Sequence, residues 1–174
     1  LVVVSSPVYD YLGRPSVSIL PFATQNEGYT YYDNVTEYKK SSFDNGATIN
    51  NPQPYQTGTG EISASKYYSV NNDIDHSHKE YIPNAENFPF SRVLFKNDGS
   101  GRVKEQAGIG GMFQLGNNKT TKYYYTKPSQ LELDELFGNE VGEAKHYNKT
   151  ITVDPNGQES YTIYDPAGKV IVSG

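Results

Sequence analysis

Residues 150–174 read TITVDPNGQESYTIYDPAGKVIVSG, and the two turns in this stretch constrain the chain more than any other feature of it. Each is written Asp-Pro-x-Gly: Asp154-Pro-Asn-Gly157 and Asp165-Pro-Ala-Gly168. Asp at the first position accepts a backbone N–H from two residues on, and Pro at the second presets φ. Gly at the fourth takes the left-handed conformation that lets the chain return. The product is a hairpin loop with a bulge. Two such loops need three strands, and apolar alternation supplies them: Ile151 with Val153, Tyr161 with Ile163, and Val170 with Val172 each read as a pair on one face.

The same turn recurs upstream. Asp10-Tyr-Leu-Gly13 is followed by Arg14 and then by the alternating Val17 and Ile19, and Asp98-Gly-Ser-Gly101 is followed by Arg102 and Val103. We read all of these as degenerate copies of one hairpin unit. Asp10, Gly13, Arg14, Asp98, Gly101, Arg102, Asp154, Gly157, Asp165 and Gly168 are its expected structural positions.

Composition narrows the class. Leu, Ile, Val and Phe make about a fifth of the chain, near the level at which disorder sets in. Sixteen tyrosines oppose that, because Tyr favours strands and buries a ring while its hydroxyl stays bonded or wet. The net charge of −5, with 15 scattered basic residues, leaves no electrostatic footprint for nucleic acid or an anionic membrane. There is no cysteine, which excludes disulfides and thiolate metal sites while leaving the compartment open. No apolar run approaches the roughly 18 residues of a membrane span. The chain opens on Leu-Val-Val-Val and closes on Val-Ile-Val-Ser-Gly, both strand-like, and is expected to be a piece of a longer polypeptide.

In chain order, two strands surround the first turn over 1–23. From Thr24 to about Glu61 the sequence is polar and Gly/Pro-punctuated, a long loop excursion with one strand expected at Tyr29–Tyr32. Further strands are expected at 65–70, 91–96, 101–106, 112–115 and 120–126. One helix is signalled over 129–137, where Ser129 and Glu132 fit a capping box and Gly138 a stop; Leu131 and Leu133 alternate as a strand would, leaving that alternative open. The fold class is therefore all-β: a strip of antiparallel hairpins with long polar loops and at most one short helix, forming one region over 1–174.

Catalytic signals are sparse. Asp73, Asp75, His76 and His78 are the densest set of possible metal ligands, but they lack the Gly and Glu that complete an EF-hand and the third His or thiolate that zinc needs. A solvated loop is the expected reading, with no metal and no cofactor. Gly108-Ile-Gly110-Gly111 has no Lys at phosphate-loop spacing and reads as a bend. No Ser sits in a Gly-x-Ser-x-Gly elbow, and no carboxylate pair is marked as glycosidic. Tyr31-Tyr32, Tyr67-Tyr68 and Tyr123-Tyr124-Tyr125 are expected to pack on sheet faces, with a sugar-stacking platform as the alternative. Asn34, Asn118 and Asn148 head glycosylation-type triplets that an Asn-rich chain produces by chance.

Tyr9-Asp10-Tyr-Leu-Gly13-Arg14 and Tyr164-Asp165-Pro-Ala-Gly168-Lys169 resemble the repeats of the RHS (YD-repeat) proteins. Over nearly the whole chain, Tyr9 through Leu20-Pro-Phe-Ala23, then Pro89-Phe-Ser-Arg92-Val-Leu94, then Tyr147-Asn-Lys-Thr150 leading to Asp154, the order resembles a domain ahead of the RHS repeats in large secreted proteins of Bacteroidota. The resemblance implies a hairpin strip that coils into a shell around a toxin or adhesive tip, with no catalytic residues in the repeats and with export, in many such proteins, by the type IX secretion system. Its implied partners are the remainder of its own polypeptide and a secretion translocon or its accessory proteins. The alternatives are a secreted carbohydrate-binding module using the tyrosines and, behind it, a glycan-active enzyme.

Overall fold

The computed structural model describes residues 2–24, 63–72, 79–138 and 140–174. Its regular structure is predominantly β, as expected, and it divides into two compact units, Leu1–Thr120 and Thr121–Gly174.

The first unit contains β1 (Val2–Val4), β2 (Pro7–Tyr9), β3 (Pro15–Ile19), β4 (Phe22–Thr24), the single helical turn α1 (Ala64–Tyr67), β5 (Phe90–Phe95) and β6 (Val103–Ala107). Strands β2, β3, β5 and β6 pair in that order, each antiparallel to the next, while β1 pairs with β4. Val17 and Ile19 lie two apart on β3 and so share a face. Phe90 of β5 stands opposite Ile19 in the ladder. These three, with Phe22 and Ala64, form the buried cluster, flanked by Val4, Val8, Tyr67, Tyr68 and Phe88. Burial of each large apolar side chain there stabilises by roughly 1.5–3 kcal/mol.

The strand expected at 65–70 is instead α1. Ser63 caps it by accepting the Lys66 N–H at 3.3 Å, and Ala64 is fully buried. So short a helix survives only by packing. Tyr67 meets Tyr68 edge-on with centroids 4.9 Å apart and leans on Phe22 at 6.3 Å, and the Tyr68 hydroxyl donates to the Pro21 carbonyl. The strand expected at 112–115 is likewise replaced, by a 3₁₀ turn over Gly111–Phe113. Gln114 is the cause: its Nε2 donates to the carbonyls of Gly108 and Gly110, both at 3.0 Å, and curls the segment back on itself.

The second unit contains β7 (Thr121–Thr126), α2 (Gln130–Phe137), β8 (Asn148–Val153), β9 (Glu159–Tyr164) and β10 (Val170–Ser173). The strands form an antiparallel meander in sequence order. Helix α2 starts and stops where its signals stand. Ser129 accepts the Glu132 N–H at 3.1 Å, and Gly138, at φ 77°, donates its N–H to the Asp134 carbonyl at 2.8 Å. The Glu132 carboxylate takes Lys149 Nζ of β8 at 2.6 Å, pinning the helix to the sheet. Lys149 in turn lies 4.5 Å from the Tyr161 ring centroid.

The expected apolar face forms with one exception. Ile151 pairs with Tyr161, and Lys149 with Ile163, which puts Ile151, Val153, Tyr161 and Ile163 on the same side. Val172 joins them opposite Ile163, but Val170 sits opposite Tyr164, on the other side, because the register shifts between Val170 and Val172. One extra residue in a bulge breaks the period of two, so two valines that alternate in sequence part company in space.

Candidate functional site

The residues singled out by sequence are turn residues, and three of the four turns are built alike. At Asp154, the carboxylate Oδ1 accepts the N–H groups of Asn156 and Gln158, both at 2.8 Å. The Asp154 N–H donates to the Gln158 carbonyl at 2.9 Å, and the Gly157 N–H donates to the Asp154 carbonyl at 3.0 Å. Asp165 repeats the set with Ala167 at 2.9 Å and Lys169 at 2.8 Å on Oδ1, and Asp10 with Leu12 and Arg14, both at 2.9 Å. The two backbone bonds have the same lengths in all three turns. Gly13, Gly157 and Gly168 lie at φ 77°, 85° and 81°, a region where a Cβ is strained even in open space.

The chemistry of this unit is clear from its donors. A hairpin loop of three residues leaves several amides with no ladder partner, and one carboxylate oxygen collects two of them. The fourth turn departs from this. Asp98 Oδ1 accepts the Ser100 N–H at 2.9 Å, but the Arg102 N–H goes to Ser100 Oγ at 3.2 Å, and the loop closes through the Lys96 N–H on the Arg102 carbonyl at 2.8 Å. Residues 97–101 lie inside this loop, against 155–157 in the shorter form. Gly99 and Gly101 both take positive φ, at 73° and 70°, to accommodate the longer path. Hydrogen bonds from the Ser100 hydroxyl and amide, with the charge of Lys96, outweigh the small effect of desolvation and hold the Asp98 carboxyl below its ordinary value.

In the first unit the Asp10 and Asp98 turns meet. Arg14 grips Asp10 Oδ2 through Nε and a terminal nitrogen, both at 2.7 Å, and lays its guanidinium 4.2 Å from the ring centroid of Phe95. The Tyr11 hydroxyl donates to Asn97 Oδ1 at 3.0 Å. Burial works to raise the Asp10 pKa. The Arg14 side-chain hydrogen bond, the N–H groups of Arg14 and Leu12 and the guanidinium charge outweigh it, holding the carboxyl below the ordinary 3.8. The Arg four residues after Asp is legible in sequence; its stacking on Phe95 is not, because Phe95 arrives from another hairpin.

The other sequence signals resolve as follows. Asp73, Asp75, His76 and His78 lie outside the described residues, as do the expected strand at 29–32 and the Tyr31-Tyr32 pair. Among the described residues no group of three or more His, Asp or Glu side chains is placed to hold a metal ion. The glycine-rich bend turns its amides inward: Gly108 N–H to the Phe113 carbonyl, Gly110 N–H to the Phe88 carbonyl, and Gly111 N–H to Glu86 Oε2, at 3.1 Å each. Those donors are consumed, and no phosphate cradle remains. Tyr67 and Tyr68 are packing residues. Tyr123 and Tyr125 share a face with Thr150 and Thr152, while Tyr124 stands on the opposite face beside Ile151. Among the described residues no helix is long and apolar enough to cross a membrane.

No family model matches this chain, and a search of curated proteins finds no match.

Proposed function

We propose that this chain is a wall segment of a large exported RHS-type protein, a structural scaffold for a toxin or adhesive tip and not an enzyme. The observation that carries the reading is the repetition of one hairpin turn, bonded alike at Asp10, Asp154 and Asp165. Repeating a stereochemically demanding loop builds a strip of sheet, and a strip is useful for enclosing or presenting something else. Its partners in this reading are the rest of its own polypeptide and the secretion translocon, with type IX export and a cell-surface or secreted location. The test is the mass of the native polypeptide, detected in its source with an antibody to this chain. A species many times larger than 19.4 kDa is expected; a native species of that mass would sink the wall reading.

A second reading, a carbohydrate-binding module, is favoured by one face of the second unit. Its register gathers Tyr123, Tyr125 and Tyr164 with Thr150, Thr152 and Thr162, aromatic rings among hydroxyls. Neutral sugars take such surfaces through ring stacking and hydroxyl hydrogen bonds. Retention on insoluble polysaccharide that is lost on Tyr125→Ala is the expected result under this reading, and no retention at all eliminates it.

A further inference from the structure

The Asp154 turn carries a dipeptide that its twin lacks: Asn156-Gly157, where the Asp165 turn reads Ala167-Gly168. Asparagine followed by glycine is chemically labile, because no Cβ on the next residue hinders approach of its backbone nitrogen to the side-chain amide carbon. The Gly157 nitrogen loses its proton and attacks Asn156 Cγ. The new N–Cγ bond closes a succinimide, the Cγ–Nδ2 bond breaks, and the departing NH2 group takes up one proton, equivalent to the one lost by the Gly157 nitrogen, to leave as ammonia. Water then opens the ring at either carbonyl, leaving aspartate or isoaspartate. The balance is one amide and one water giving one acid and one ammonia, with no change of oxidation state.

The folded turn controls whether that nitrogen is available. Its N–H is donated to the Asp154 carbonyl at 3.0 Å, and the N–H of Asn156 itself is held by Asp154 Oδ1 at 2.8 Å. The loop is closed behind them by the Asp154 N–H on the Gln158 carbonyl at 2.9 Å. Deprotonation requires the hydrogen bond of the Gly157 N–H to break, and the bonds at Asn156 and Gln158 hold the turn backbone that carries that nitrogen, while the Asn156 residue itself is exposed and leaves no steric obstacle to water. We propose that Asn156 is a spontaneous modification site, a deamidation centre gated by the Asp154 carboxylate, whose rate in the folded protein reports opening of the β8–β9 hairpin. The isoaspartyl product lengthens the main chain inside a loop held by closely matched bonds. It also sets a second carboxylate beside Asp154, so the modified loop no longer closes in its original register. The Asp165 turn, with the same bonds and Ala167 in place of the amide, is the internal control.

The experiment follows conversion at residue 156 by peptide mapping of the full chain in mildly alkaline buffer, beside a synthetic peptide spanning residues 148–164. The map separates this site from Asn45-Gly46, which falls in a different peptide. Conversion in the folded chain is expected to be at least ~10-fold slower than in the peptide, as for any reaction that waits on local opening. Asp154→Ala accelerates it in the folded chain and leaves the peptide rate unchanged; Asp154→Asn, which retains an Oδ1 acceptor, stays slow. Equal rates in chain and peptide, or no conversion in the peptide, overturn the proposal. Should Asp154→Ala fail to fold, hydrogen exchange of the Gly157 amide in the unsubstituted chain replaces it, measured over rising denaturant. Exchange and conversion accelerating together support the gate, and exchange accelerating alone overturns it.

Discussion

At Asp10 one carboxylate does three things: it caps two amides, closes a loop and holds an arginine against an aromatic ring. Its folded pKa is depressed, so its contribution is fully present above the unfolded value near 3.8 and is lost as pH falls through the lower folded value. Subtracting the stability of Asp10→Asn from that of the unsubstituted protein at each pH is therefore expected to give a difference that is flat above about pH 5 and shrinks on acidification. A difference that grows with acid would refute this assignment. Asp10→Ala, which also strips the two amides of their acceptor, is expected to cost about 1–3 kcal/mol at neutral pH. The glycine at the end of each turn is tested at Gly168: Gly168→Val is expected to cost about 1–3 kcal/mol for a β-branched residue at positive φ, and Lys169→Ala, at an exposed position, under about 0.5 kcal/mol. Equal losses in urea unfolding would sink the turn assignment. The bonds within each turn were legible in the sequence because they join groups within four positions of one another; the stacking of Arg14 on Phe95 was not, because Phe95 arrives from another hairpin.

Elements were legible where a local signal had no competitor. Ser129 and Gly138 bracket α2 as expected, and Ser129→Ala is expected to lower stability by about 1 kcal/mol, read from the thermal midpoint. The other half of the capping box was diverted, since Glu132 reaches Lys149 across the unit. Segments 65–70 and 112–115 look like strands by side-chain type, yet a serine cap and a glutamine amide bent them otherwise. The bulge in β10 is the sharpest test at this scale. Alternation makes Val170 and Val172 equivalent, whereas the register places Val172 beside the fully buried Ile163 and leaves Val170 49% exposed. Val172→Asp is expected to cost about 2 kcal/mol or more, and Val170→Asp less than about 1 kcal/mol. Comparable losses in chemical denaturation would mean that β10 runs without its bulge.

For the molecule as a whole, the first unit rests on a small cluster around Phe90, and Phe90→Ala is expected to cost about 3–5 kcal/mol, with loss of its cooperative unfolding transition as the check. That cluster draws Val17 and Ile19 from one hairpin, Phe90 from another, and Ala64 from a helical turn far along the chain. The alternation of Val17 and Ile19 declared a buried face; nothing in it declared what would cover that face. The same division holds throughout. Sequence alone determined the all-β class and the presence of a turn at each Asp-x-x-Gly, because Asp and Gly, joined by Pro in two of the four, impose their geometry through bonds between near neighbours and through φ itself. Only the tertiary structure decided the stacking of Arg14 on Phe95 and the side of the sheet on which Val170 lies. Both depend on which residues of neighbouring strands are brought opposite one another, and that leaves no mark in local spacing.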